Sequence, residues 1–304
     1  MAIPERQLET WSNQGAVQTS ANTHKSVTNC IEKVNWNSDV NYETYLQGSY
    51  PNYTNIYGNS DVDLVVEFRS IFSKNLNSLT ESQKEVFDSK YADAEYTLAA
   101  FKLAVIEQLK LCFGDSNVVV GNKAILIKGD SNRLDCDVIV CNPYRKYISY
   151  IPYKEEYIEG VIFRTEKEIP NRNIINYPKI HLKNGSVKNQ QEKTNANFKP
   201  TVRVLKNIKA SMVQKGYILK TLAPSYFLEC LIYNSDNINF RQNNYQEIAV
   251  SIINQFHNDI QNGKMINYLV QNEQDKLFGT TDQQWNIDDA TLFVNQLIKF
   301  WKEY

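Results

Sequence analysis

Apolar and polar positions along this chain follow two periods, one suited to strands in the first half and one suited to helices in the second. Asp61, Asp63 and Val65 alternate through the run DVDLVV, and side chains at i and i+2 of a strand leave the same face, about 6.5 to 7 Å apart. Three further short strands are predicted at Val118 to Val120, Ala124 to Lys128 and Leu134 to Val140, separated by Gly-Asn and Gly-Asp steps that favour hairpin turns. More strand-like pieces run from about Tyr147 to Glu168. On the helical side, Ser20 to Leu46 reads as an N-terminal helix leading into Gly48-Ser49. Thr80 with Gln83 forms a capping-box pattern that opens one largely buried helix, running through Tyr96, Leu98, Phe101, Val105, Ile106 and Leu109 and closing at Gly114. The polar, Asn-rich stretch from Pro170 to Asn197 reads as a link between lobes or a cover for a cleft. After Pro200 the chain is mainly helical and ends in an amphipathic segment, Asp288 to Lys302, with Leu292, Phe293, Leu297 and Trp301 predicted on one buried face. The expected fold class is α+β, with a mixed-sheet lobe over 1–170, a helical lobe over 171–304, and the cleft between them as the natural site for a ligand.

Composition narrows the function classes. A chain of 304 residues can bury a large core and build two lobes. Its 33 basic and 34 acidic residues nearly cancel, which argues against coating nucleic acid as the main role, so any nucleotide site is local. The opening MAIPERQLETW has no apolar signal core, and no apolar run reaches the roughly 18 residues that spanning a bilayer requires. The expectation is a cytoplasmic protein that does not engage a membrane. Cys30, Cys112, Cys136, Cys141 and Cys230 are scattered and odd in number, which predicts reduced core thiols. His24, His181 and His257 have no spacing suited to zinc, so no structural zinc is expected, and the chain has no Gly-x-Ser-x-Gly elbow for a serine hydrolase.

Candidate chemistry concentrates in LQGSYPNYTNIYGNSDVDLVVE, residues 46–67. Two carboxylates leaving one face of a strand supply the hard oxygen ligands that divalent ions need, and two such ions can hold the attacking and leaving oxygens of an in-line phosphoryl displacement. Gly48 allows backbone N–H groups to approach phosphates closely, and Ser49 adds a hydroxyl donor. A third carboxylate is available in RLDCDVIVCNP. Asp137 enters the Val-Ile-Val strand directly, while Asp135, the alternative, shares its face and reads equally as a surface partner of Arg133. Lys199, Arg203 and Lys206, at i, i+4 and i+7 of the helix near Pro200, form a basic stripe suited to a triphosphate or to solvent.

In its order of Gly-Ser, aromatic loop, Thr54, Ser60-Asp61 and Leu-Val-Val, residues 46–67 resemble the DNA polymerase β-like nucleotidyltransferases. Over a longer span NYPKIHLKNGSVKNQ, FKPTVRVLKNIKASM and PSYFLECLIYN resemble the bacterial cyclic-oligonucleotide synthases of anti-phage signalling, relatives of animal cyclic GMP-AMP synthase and of oligoadenylate synthetase. The resemblance implies Asp61, Asp63 and Asp137 as catalytic residues holding two Mg²⁺ ions, with Mn²⁺ able to substitute. It implies nucleotide contacts from Gln47, Gly48, Ser49, Lys206 and Ser225, and a base stacked on Tyr226, which reads equally well as a core tyrosine. The implied substrates are ribonucleoside triphosphates such as ATP and GTP, and the implied product is a cyclic di- or trinucleotide sensed by a downstream effector. No Cys/His insertion and no long basic run are present, which argues against activation by DNA. Linear oligoadenylate synthesis, RNA tailing, transfer to a small molecule or protein, and an inactive antitoxin-like module remain as alternatives.

Overall fold

The protein's structure is a computed structural model that describes residues 3–15, 18–58, 61–91, 94, 96–151 and 154–304. In chain order the helices are α1 (Glu5–Ser12), α2 (Gln18–Ile31), α3 (Glu81–Lys90), α4 (Leu98–Phe113), α5 (Pro178–Lys188), α6 (Gln191–Thr194), α7 (Phe198–Gln214), α8 (Ser225–Tyr233), α9 (Tyr245–Gln261) and α10 (Ile287–Glu303). The strands are β1 (Tyr42–Gln47), β2 (Val62–Phe68), β3 (Ser73–Asn75), β4 (Val118–Val120), β5 (Ile125–Ile127), β6 (Cys136–Ile151), β7 (Lys154–Arg164) and β8 (Asn173–Asn176). Two compact units divide the chain. The helical unit takes Met1–Ala16, Ser49–Ser60 and Lys179–Tyr304, and the sheet unit takes Val17–Gly48 and Asp61–Pro178.

The sheet unit is organised by β6. Its first half pairs in parallel with β2 and antiparallel with β5, and its second half pairs with β3 and β7. β1 flanks β2, β4 flanks β5, and β8 extends from β7. The run VDLVVEF of β2 is buried on both faces at nearly every position, in keeping with its mainly apolar residues, which only Asp63 and Glu67 interrupt. Phe101 of α4 stacks on Phe68 of β2 at 4.6 Å and on Trp36 at 4.7 Å, which closes one face. Val65 packs on the other face with Cys141, Val161 and Phe163. A satellite core of Leu79, Phe87, Tyr147 and Tyr150 lies where α3 covers the far half of β6.

Several sequence expectations are corrected here. The helix expected over Ser20 to Leu46 stops at Ile31, and Tyr42–Gln47 is a strand, because YETYLQ finds an antiparallel partner in β2. The long helix expected from Thr80 to Gly114 is two helices. The Thr80–Gln83 capping box does open α3, but Tyr96 lies outside both helices with its ring edge-on to Phe68. Only Phe101, Val105 and Leu109 of α4 are buried, while Leu103 and Leu111 are exposed. The stretch expected as a link from Pro170 to Asn197 holds β8, α5 and α6. The thiols of Cys30 and Cys112 are joined as a disulfide between α2 and α4, whereas Cys136, Cys141 and Cys230 are free and buried.

The helical unit packs Val202, Leu205, Ile208 and Met212 of α7 against α8, α9 and α10, and Ile3 and Leu8 from the start of the chain complete the core. Helix α10 buries Phe293 and Leu297 as expected, with Ala290, Val294 and Phe300 beside them. Leu292 is exposed and Trp301 only half-buried, so the buried stripe lies one position round from the expected one. No helix among the described residues is long and apolar enough to cross a membrane.

Candidate active site

Parallel pairing of β2 with β6 sets Asp63 directly beside Asp137, and antiparallel pairing of β1 with β2 sets Gln47 beside Asp63. Residues in register on neighbouring strands share a face. Asp61 is exposed one residue before β2, so it continues the face of Asp63, while Ser60 lies outside the described residues. The carboxyl of Asp137 is raised above its ordinary range, first by burial and then by the negative charges of Asp61 and Asp135. The Asp137 carboxyl thus feels two like charges, an arrangement that favours a bound cation.

Gly48 leaves room for the Asp63 carboxylate. Its φ of +74° lies in the left-handed region, and a Cβ there would come within 2.1 Å of Asp63 Oδ2, so a side chain is excluded on both counts. Asp135 is turned toward its own loop. Its Oδ1 accepts the Gly129 N–H at 2.6 Å, and its carbonyl accepts the Val62 N–H at 2.9 Å. The expected Arg133–Asp135 pairing does not form, because Arg133 pairs with Asp130 at 2.7 Å. Among the described residues no three His, Cys, Asp or Glu side chains converge as a ready metal cage. Asp61, Asp63 and Asp137 nevertheless fit a hard divalent cation by donor chemistry and shared face.

In the helical unit, the segment after Ser49 turns back on itself, with the Thr54 N–H donating to the Ser49 carbonyl at 2.9 Å and Tyr53 at a φ of 58°. The stripe on α7 faces this segment. Lys206 was expected to face a triphosphate, but it is only 5% exposed, and its ammonium donates to the Thr54 carbonyl at 3.1 Å and to Glu229 Oε2 at 3.1 Å. Arg203 donates to the carbonyls of Tyr53 and Ser12, and Lys199 lies over the Tyr53 ring at 5.1 Å. Burial alone would raise the Glu229 carboxyl, but the Lys206 ammonium and His181 more than reverse this and hold it at about 2.

Lys209, one turn beyond Lys206, was missed in the sequence. It is 8% exposed, and no described residue bonds its ammonium; burial, and next the charge of Lys220, lowers its pKa. The spacing of Lys206 and Lys209 could not show which of them is engaged. Ser225 opens α8 exposed at its first turn, where backbone N–H groups favour an anion. Tyr226 is 44% exposed, with its ring stacked on His181 at 5.3 Å and tilted against Trp285 at 5.8 Å.

Residues 183–302 match the family described as the cGAS/DncV-like nucleotidyltransferase C-terminal helical domain. The Cyclic nucleotide synthase CdnE01 of Staphylococcus haemolyticus is 37% identical to this chain over 100% of both. The Cyclic UMP-AMP synthase of Rhodothermus marinus is 39% identical over 99% of this chain and 98% of its own. The solved structure of the Rhodothermus marinus CdnE c-UMP-AMP synthase with Apcpp and Upnpp superposes with a TM-score of 0.86 over 99% of this chain and 97% of that one. The Elizabethkingia meningoseptica CdnE cyclic dinucleotide synthase with GTP and Apcpp gives 0.77 at 28% identity, covering 98% of each. Similarity of this extent, running through the paired aspartates and the helical unit alike, establishes that the chain belongs to the cGAS/DncV-like nucleotidyltransferases, the family of the CdnE cyclic nucleotide synthases.

Proposed function

We propose that this protein joins ribonucleoside triphosphates into a cyclic di- or trinucleotide and releases pyrophosphate at each bond. The observation that carries the reading is the register of β2 on β6, which puts Asp63 beside Asp137 with Asp61 continuing their face. In each condensation a ribose hydroxyl oxygen bonds to the α-phosphorus of a second nucleotide, and the bond from that phosphorus to pyrophosphate breaks. Two Mg²⁺ ions held by Asp61, Asp63 and Asp137 would supply charge neutralisation for the leaving pyrophosphate and a more acidic hydroxyl. The hydroxyl proton passes to Asp137, whose carboxylate lies beside Asp63 on the same face. Gly48 leaves room for the Asp63 carboxylate, which a Cβ there would crowd.

In the helical unit Ser49, Lys209 and Ser225 serve as phosphate contacts, with Lys209 in the role expected of Lys206, because its ammonium is the one left without a described partner. Tyr226, 44% exposed, offers its ring to a base, a contact that contributes about 1 to 3 kcal/mol without fixing base identity. The cyclic product acts on a separate effector protein in anti-phage defence.

The test supplies the purified protein with all four labelled ribonucleoside triphosphates and Mg²⁺, followed by phosphatase and then linkage-specific nuclease. Phosphatase-resistant, nuclease-sensitive product that disappears in Asp61→Asn/Asp63→Asn is expected. Product whose chromatographic retention shifts on phosphatase treatment, through loss of a terminal triphosphate, would replace the cyclic reading with linear synthesis.

A further inference from the structure

Lys206, Glu229, His181 and Thr54 are buried, polar and bonded to one another, and the chemistry assigned above uses none of them. Glu229 is the centre of the group. Its Oε2 accepts from Lys206 at 3.1 Å and from the Thr54 hydroxyl at 3.1 Å, while its Oε1 lies 3.2 Å from His181 Nε2. Thr54 belongs to the segment whose first turn is closed by the hydrogen bond from the Thr54 N–H to the Ser49 carbonyl. His181 lies under Tyr226, with rings 5.3 Å apart and inclined by 27°. A single carboxylate thus connects the loop that starts at Ser49 with the ring that carries Tyr226.

We infer that Glu229 is a positioning residue which, through Thr54 and His181, holds Ser49 and Tyr226 in fixed places for one nucleotide, and that Lys206 neutralises Glu229 instead of gripping phosphate. The inference rests on the reading that Ser49 and Tyr226 contact nucleotide. Buried ion pairs often contribute little net stability compared with apolar packing, and one well-supported reason for keeping them is to specify a single arrangement. Here the arrangement specified ends at half-buried Ser49 and at exposed Tyr226. Arg203 and Lys199 add to the same clamp, since each engages Tyr53 beside Thr54. His181 Nδ1 has no hydrogen-bond partner among the described residues, so the ring is held by its Nε2 contact to Glu229 and by its stack against Tyr226.

Double-mutant cycles on the full-length protein test this with substitutions that preserve volume. Thr54→Val removes the hydroxyl that bridges Lys206 and Glu229, and His181→Phe keeps an aromatic stack but loses the bond to Glu229. KM for each nucleotide, kcat and product composition are measured with and without Ser49→Ala and Tyr226→Ala, and melting curves confirm folding. The expected result is a rise in KM of about tenfold for Thr54→Val that largely vanishes in the Ser49→Ala background, because a positioning residue loses its effect once the group it positions is gone. His181→Phe is expected to shift product composition only while Tyr226 is present.

Additive effects in both cycles, with Ser49→Ala and Tyr226→Ala each impairing synthesis, would overturn the positioning role and leave the proposed nucleotide contacts standing. No effect from Ser49→Ala or Tyr226→Ala themselves would overturn those contacts and the inference built on them. Should Thr54→Val fail to fold, Thr54→Ser, which keeps the hydroxyl but drops the methyl, and the binding of a non-hydrolysable ATP analogue carry the same comparison. Binding by Thr54→Ser close to the parent supports the hydroxyl bridge, and a loss as large as that of Ser49→Ala counts against it.

Discussion

At the scale of single residues, the sharpest constraint is the contact between Gly48 and Asp63. Gly48→Ala would set a Cβ 2.1 Å from Asp63 Oδ2 on a backbone already at φ +74°. Displacing one reacting group by about 1 Å costs on the order of 100-fold in rate, so the variant is expected to lose at least that much in kcat, read by pyrophosphate release, with circular dichroism close to the parent. Asp61→Asn/Asp63→Asn should abolish synthesis, because it removes ligand charge with little change in volume. Because Asp61 is one of the charges that raise the Asp137 carboxyl, the same double variant should melt at or above the parent temperature in metal-free buffer. A clear fall in melting temperature would show that the carboxylates stabilise the fold rather than strain it. Asp137→Asn should be severe. Asp135→Asn should stay close to parental turnover, since an asparagine Oδ1 still accepts the Gly129 N–H.

At the scale of elements, packing decides which predicted helices survive. Helix α4 is held on the sheet by Phe101, sandwiched between Phe68 at 4.6 Å and Trp36 at 4.7 Å. Phe101→Ala removes the shared member of two stacks and is expected to cost about 3 to 5 kcal/mol in chemical denaturation. A loss under about 1 kcal/mol would mean that the surrounding side chains collapse into the space. The same reasoning accounts for misread elements. Residues 96–113 have the apolar density of a core helix, yet one stripe of three residues is enough to dock α4 on a flat sheet, and Leu103 and Leu111 are left outside. Tyr42–Gln47 lacks a strong pattern of its own and becomes a strand because β2 offers an unpaired edge.

At the scale of the whole molecule, the chain passes between two units more than once, so that Ser49–Ser60 belongs with the helices although Gly48 and Asp61 on either side belong with the sheet. The buried Glu229–Lys206 pair holds that returning segment. Its pH dependence follows from the sign of the shift. The Glu229 carboxyl is held at about 2 against an ordinary 4.5, so its contribution is fully present above pH 4.5 and is lost as pH falls toward 2. Denaturant unfolding of the parent should show stability falling across that window, and Glu229→Gln should be less stable at neutral pH with a flatter acid limb. An identical acid limb in both proteins would remove Glu229 as the source.

The sequence by itself determined the family resemblance and the α+β class and marked the candidate carboxylates, because those depend on local spacing. Asp61 and Asp63 share a face by the period of a strand, and Asp137 is marked by the β-branched run that follows it. Tertiary structure decided what each charge meets. Lys206 and Lys209 are both lysines on the same apolar-patterned helix, and only the position of Glu229 on α8 makes one a buried structural partner and leaves the other without a described partner. Asp135 and Asp137 differ in the same way: the loop at Gly129 occupies one carboxylate, while the register with β2 brings the other to Asp63. Spacing along the chain fixes which side chains leave an element together, but long-range pairing fixes what they meet, and the charge on a side chain acts through what it meets.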